Sequence, residues 1–98
     1  MKHNNRAWAE INLDAIENNI KAIRRYVTPS AKILGIVKAD AYGHGYLEVA
    51  RTLLENGADA LAVACLDEAI QLRRCYIRCP ILILGRSCCE EAETLVFY

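Results

Sequence analysis

Residues 33–57 read ILGIVKADAYGHGYLEVARTLLENG, and this stretch decides the fold. Ile33-Leu34-Gly35-Ile36-Val37 is a short run apolar at successive positions, the pattern of a strand covered on both sides in a parallel sheet. A loop containing glycine and tyrosine follows, from Ala39 to Gly45. From Tyr46 onward, Leu47, Ala50, Leu53 and Leu54 recur at the spacing of an amphipathic helix, and Gly57 is placed to cap its C-terminus. The unit is one strand, one loop and one helix.

The same unit recurs downstream. Residues 60–64 predict a second buried strand, Asp67 and Glu68 fall in the first turn of a helix carrying Ala69, Ile70 and Leu72, and residues 81–84 predict a third strand. Ser87 with Glu90 has the form of a capping box opening a last helix toward Leu95 and Val96. Upstream, Asp14 and Glu17 form a similar pair, and Ile16, Ile20, Ile23 and Val27 predict a helix over 15–27 that stops at Thr28-Pro29. Before it, residues 7–13 alternate, with Ala7, Ala9, Ile11 and Leu13 on one face, which predicts a half-buried strand. The three buried strands start about 21 to 27 residues apart with a helix between each, the spacing of βαβ units joined by right-handed crossovers.

The expected class is therefore α/β, the opening βα units of a TIM (β/α)8 barrel, incomplete because a whole barrel takes ~250 residues. The division expected is an N-terminal strand over 1–13 and the first part of a barrel domain over 14–98. Ile36, Val63 and Leu82, or their strand neighbours, are expected to face the barrel interior, with the outer strand edges unpaired.

Composition narrows the partners. The chain has 98 residues, 54% apolar and 24% charged, which is globular rather than disordered composition. Twelve Lys and Arg balance twelve Asp and Glu, so the electrostatic footprint of a nucleic-acid or anionic-membrane binder is missing. The longest uncharged apolar run, residues 60–66, is far short of the ~20 needed to span a bilayer, and the polar start MKHNNRAWAE is no secretory signal. A cytoplasmic protein is expected. Its five cysteines, Cys65, Cys75, Cys79, Cys88 and Cys89, are odd in number and read as free thiols. Cys75 and Cys79 are expected to flank a helix-to-strand turn, and no metal site is expected, because the spacing of the cluster is irregular for zinc.

Chemistry concentrates in Val37-Lys38-Ala39-Asp40-Ala41-Tyr42-Gly43-His44-Gly45. Lys38 ends a buried strand on the face where barrel enzymes build their sites. Apolar walls around it would disfavour the ammonium and leave a neutral amine able to condense with an aldehyde; the other reading is a lysine that simply leaves the strand for solvent. Tyr42 could aim its hydroxyl at a phosphate or cover the barrel end. Asp40 reads as a loop hydrogen-bond acceptor, His44 as loop-fixing or exposed, and Gly43 with Gly45 as a turn or a close approach to a ligand.

Taken together, VKADAYGHG preceded by ILGI resembles the pyridoxal-phosphate lysine motif of alanine racemases. The resemblance extends through RAWAEINLDAIENNI, ADALAVACLDEAIQLR and PILILG over almost the whole chain. It implies a pyridoxal 5'-phosphate isomerase that interconverts L- and D-alanine, supplying D-alanine for cell-wall synthesis, and works as a homodimer. It makes Lys38 the catalytic residue, holding the cofactor as an internal aldimine and serving as one of two bases. Tyr42 would hydrogen-bond the cofactor phosphate, and Leu84 and Val37 would pack beside the cofactor. The strand over 1–13 would belong to the family's separate β domain. Asp40 stands where the family leads one to expect Asn. The second base, a tyrosine of the partner subunit's C-terminal domain, the arginine facing the pyridine nitrogen and the further phosphate ligands all fall outside these residues, so this chain alone is expected to be inactive. Three alternatives stay open: a racemase acting on serine, a non-catalytic pyridoxal-phosphate-binding barrel protein, and an inactive remnant or interaction module with a free sheet edge.

Overall fold

The structure, a computed structural model, describes residues 7–98. Its centre is a three-stranded parallel sheet in the order β1 (Leu34–Ile36), β2 (Ala60–Val63) and β3 (Ile81–Ile83). Gly35 stands opposite Leu61, which in turn stands opposite Ile81, and Ile36, Ala62 and Leu82 form the next rung. Each strand ends one residue short of its expected span, although backbone hydrogen bonds from Val37 to Ala62 and from Leu84 to Val63 carry the pairing a step further.

One helix precedes β1 and others follow each strand. They are α1 (Leu13–Tyr26), a short helical segment α2 (Lys38–Tyr42), α3 (Tyr46–Glu55), α4 (Leu66–Arg74) and α5 (Ala92–Phe97), the last preceded by a 3-10 turn over Cys89–Glu91. Helix α1 packs on α3, while α4 lies against β2 and β3. The core sits between these helices and one face of the sheet, with Val37, Leu61, Val63 and Leu72 almost fully enclosed. Gly35 lies on this face because α3 comes close: a Cβ there would stand 2.8 Å from Cδ1 of Leu53.

Among the described residues no helix packs on the opposite face. Leu34, Ile36, Leu82 and Leu84 are 43–54% exposed there, so β1 and β3 are covered on one side only, and the expectation of cover on both sides holds for β2 alone. An apolar run of this length cannot reveal by itself how many layers pack on it. Strand parity also moves Val63 from the expected interior face to the helix side, leaving Ala62 between Ile36 and Leu82.

Three expected termini move. No strand forms over residues 7–12, which are exposed and lack regular structure, and Leu13 already belongs to α1; residues 1–6 of that expected strand lie outside the described residues. A strand needs a ladder partner, and among the described residues none stands beside it. Helix α1 is capped by Asn12, whose side chain accepts from the Ala15 N–H at 3.2 Å, so Asp14 sits in the first turn rather than at the cap. The last capping pair is Cys88 with Glu91, one residue beyond Ser87 and Glu90: a Glu91 carboxyl oxygen accepts from both the backbone N–H and the thiol of Cys88 at 3.0 Å. Cys75 and Cys79 do flank the α4–β3 turn, which Arg73 closes by donating to the carbonyls of Ile77 and Cys79.

Candidate active site

Lys38 leaves the C-terminal end of β1 and begins α2, whose backbone is left-handed. Ala39, Asp40, Ala41 and Tyr42 all have φ between 52° and 56°, followed by Gly43 at 87° and Gly45 at 90°. For L-residues this conformation costs about 1–2 kcal/mol each, so the turn persists only because its surroundings hold it.

Much of that hold is local. The Asp40 carbonyl accepts from the N–H groups of Gly43 and Gly45, and its side chain accepts from the Tyr46 N–H at 2.8 Å, tying the turn to the start of α3. The expected role of Asp40 as a loop acceptor is thus the observed one. His44 sits with Nδ1 2.9 Å from the Ala41 carbonyl, a donor contact that fixes the loop. Ala41 donates to the Val37 carbonyl and is buried beneath the turn.

One tether comes from far along the chain. Glu68, in the first turn of α4, accepts from the Ala39 N–H at 2.6 Å through one carboxyl oxygen and from the Ala64 N–H at 2.7 Å through the other. Its carboxyl group therefore joins the residue after Lys38 to the end of β2. Sequence reasoning places Glu68 only as a first-turn acid favoured by the helix dipole, because spacing cannot show a contact across 29 positions.

The expected site residues do not all meet. Lys38 is half-buried, and its Nζ lies 5.9 Å from the centroid of the Tyr42 ring, a cation–π contact. Among the described residues no carboxylate pairs with that ammonium. Tyr42 is 68% exposed. Leu84 is exposed just past β3 on the helix-free face. Val37 is a correction: at 1% exposure it is enclosed in the helix-side core and has almost no surface to offer a ligand. The β1 residue that shares the open face with Leu82 and Leu84 is Ile36, and the alternation Gly35, Ile36, Val37 was the available signal for it.

Beneath the turn, Val37, Asp40, Tyr46, Val63, Glu68, Gln71 and Leu72 line a cavity of about 330 Å³. Burial, followed by the neighbouring Cys75, pushes the Tyr46 phenol above its ordinary range and keeps it protonated. Burial likewise raises the Cys79 thiol. Among the described residues no group of three or more His, Cys, Asp or Glu is gathered for a metal ion, and no helix is long and apolar enough to cross a membrane.

Residues 11–98 match the family model described as alanine racemase, N-terminal domain. The chain belongs to that family. An alanine racemase of Methanococcus maripaludis is 54% identical over 89 residues, covering 91% of this chain and 24% of its own length. Alanine racemase 1 of Clostridium acetobutylicum is 50% identical over 97 residues, covering 99% of this chain and 25% of its own length. Among solved structures, the alanine racemase of Clostridium difficile superposes with a TM-score of 0.89 at 44% identity, over 98% of this chain and 26% of its own. That of Bacillus anthracis with bound L-Ala-P gives 0.83 at 47% identity, over 89% and 22%. The chain thus spans about a quarter of the length of the alanine racemases it matches. Its parallel strands and helices are those of the alanine racemase N-terminal domain and are consistent with the start of a TIM barrel.

Proposed function

We propose that this chain supplies the lysine-bearing part of a pyridoxal 5'-phosphate-dependent racemase acting on alanine, in a cytoplasmic homodimer. The carrying observation is Lys38 itself, half-buried at the end of a parallel strand, with no ion-pair partner among the described residues and with its backbone held in a tethered left-handed turn. The donor set suits the cofactor. An amine can anchor an aldehyde carbon, the exposed Tyr42 hydroxyl can donate to a phosphate, and the exposed side chains of Ile36 and Leu84 offer an apolar wall to a ring. Ile36 takes the role first given to Val37, which supports that wall from the core side. Residues 7–12 would find their strand partner in the β domain of the whole enzyme.

When bound, the cofactor supplies an electron sink for the negative charge left on the amino acid's α-carbon. Lys38 Nζ takes or returns the α-proton on one face of the substrate. Inversion needs a second acid–base group on the other face, and that group comes from outside the described residues. The cation–π contact with Tyr42 keeps the lysine on the same side of the turn as the phosphate donor.

The test is to incubate the chain with pyridoxal 5'-phosphate, reduce with borohydride and map the modified peptides. The cofactor should be fixed at Lys38, and Lys38→Ala should abolish both that product and the visible absorbance of the lysine-bound cofactor. Fixation on Lys32 in preference to Lys38 would sink the assignment.

A further inference from the structure

We propose that Glu68 is a positioning residue for Lys38, its two carboxyl oxygens setting the turn from which the lysine reaches. The inference rests on the reading of Lys38 as the cofactor-anchoring amine and goes beyond it by naming what aims that amine. Lys38 is followed by four residues in a backbone conformation they disfavour, so its own orientation depends on whatever pins the Lys38–Ala39 peptide. The contacts of Asp40, Ala41 and His44 lie within residues 37–46 and would travel with the turn if it swung as a unit. Glu68 is different. It holds the Ala39 N–H on one oxygen and the Ala64 N–H on the other, so the turn is referenced to the end of β2 and to the first turn of α4. Two short bonds on one carboxyl group fix direction as well as distance, which one bond would not. The cavity beside Glu68, under Asp40 and Tyr46, leaves room for the turn to sink once that support is removed.

The experiment compares the wild-type chain with Glu68→Gln, Glu68→Ala and, as a control for lost stability, Arg73→Ala. Arg73 braces the far end of α4 through the carbonyls of Ile77 and Cys79 and touches nothing in the turn. Each is treated with pyridoxal 5'-phosphate and borohydride, and the readout is the ratio of label at Lys38 to label at Lys32, with urea midpoints measured in parallel. The expected ratio falls about tenfold in Glu68→Ala and about threefold in Glu68→Gln, which keeps one acceptor oxygen, while Arg73→Ala keeps the wild-type ratio despite its lower midpoint. A wild-type ratio in Glu68→Ala overturns the proposal. So does an equal fall in Arg73→Ala, or a Glu68→Gln chain that loses its helical signal altogether, since the carboxyl group would then hold the fold rather than aim one side chain. Absence of any Lys38 preference in the wild type would instead fail the proposed function.

Discussion

Asp40 carries the sharpest test of how the turn is built. It stands at φ 56° and ψ 37°, and its Oδ1 takes the N–H of Tyr46, the first residue of α3, which has no acceptor within its own helix. Asp40→Ala removes this acceptor, a loss of about 1 kcal/mol by analogy with helix caps, and places a residue less tolerant of left-handed backbone at the same site. The expected total is about 1–2 kcal/mol, or about 4–8 °C in Tm for each kcal/mol in a domain of this size. Asp40→Asn keeps an oxygen in place and suits left-handed backbone at least as well, so it should stay within about 0.5 kcal/mol of the parent. Urea unfolding followed by far-UV circular dichroism separates the two. If the alanine variant matches the parent, or the asparagine variant falls as far as the alanine one, the contact to Tyr46 is not what joins the turn to α3.

The remaining expectations are briefer. Tyr42→Phe keeps the ring beneath Lys38 but removes the hydroxyl, and should weaken cofactor retention about 10- to 100-fold; unchanged retention in a dialysis assay would confine Tyr42 to covering the site. Gly85→Ala would press a Cβ onto the Ala64 carbonyl oxygen, backbone that cannot step aside, and should cost about 1–3 kcal/mol by urea midpoint. The Cys88 hydrogen bonds hold the Glu91 carboxyl below its ordinary value, so that group's contribution is present above the unfolded carboxyl pKa and is lost as pH falls through the lower folded value. The same contact, with Glu90 adding to it, raises the Cys88 thiol, whose contribution is present below its unfolded pKa and is lost as pH rises through the folded one. Glu91→Gln should therefore speed alkylation of Cys88 at mildly alkaline pH, and an unchanged rate would argue against the contact. With the cofactor and D-alanine in deuterated water, the chain alone should form L-alanine no faster than free cofactor and should elute above its monomer mass; clear turnover by a monomer would mean that the catalytic groups have been misplaced.

The parallel sheet, its helices and the place of Lys38 were legible because each rests on a local pattern: apolar runs, a 3.6-residue period and a lysine at the end of a strand. What escaped depended on partners. The alternation of residues 7–13 reads as a strand, yet alternation records a face and not a neighbour, and no neighbour stands there among the described residues. Val37 and Ile36 are both apolar, and only the sheet's parity tells the core from the open face. Asn12 displaced Asp14 as the cap because both residue types cap well, and only the backbone shows where the helix begins. Glu68 gave no sign of its role, since the N–H groups it meets belong to alanines.

The left-handed run from Ala39 to Tyr42 also dictates an order of events. Nothing in the intrinsic preference of alanine or tyrosine leads into that conformation, so the segment cannot serve as a nucleus from which the rest of the chain condenses. Its distant anchor lies 29 residues further on, at Glu68. On a ribosome, β1 and Lys38 are synthesised before the β2–α4 corner that carries Glu68, so the tether at Ala39 can form only once that corner exists. The turn after Lys38 thus completes its set of contacts only with a later part of the sequence, although its own residues come early.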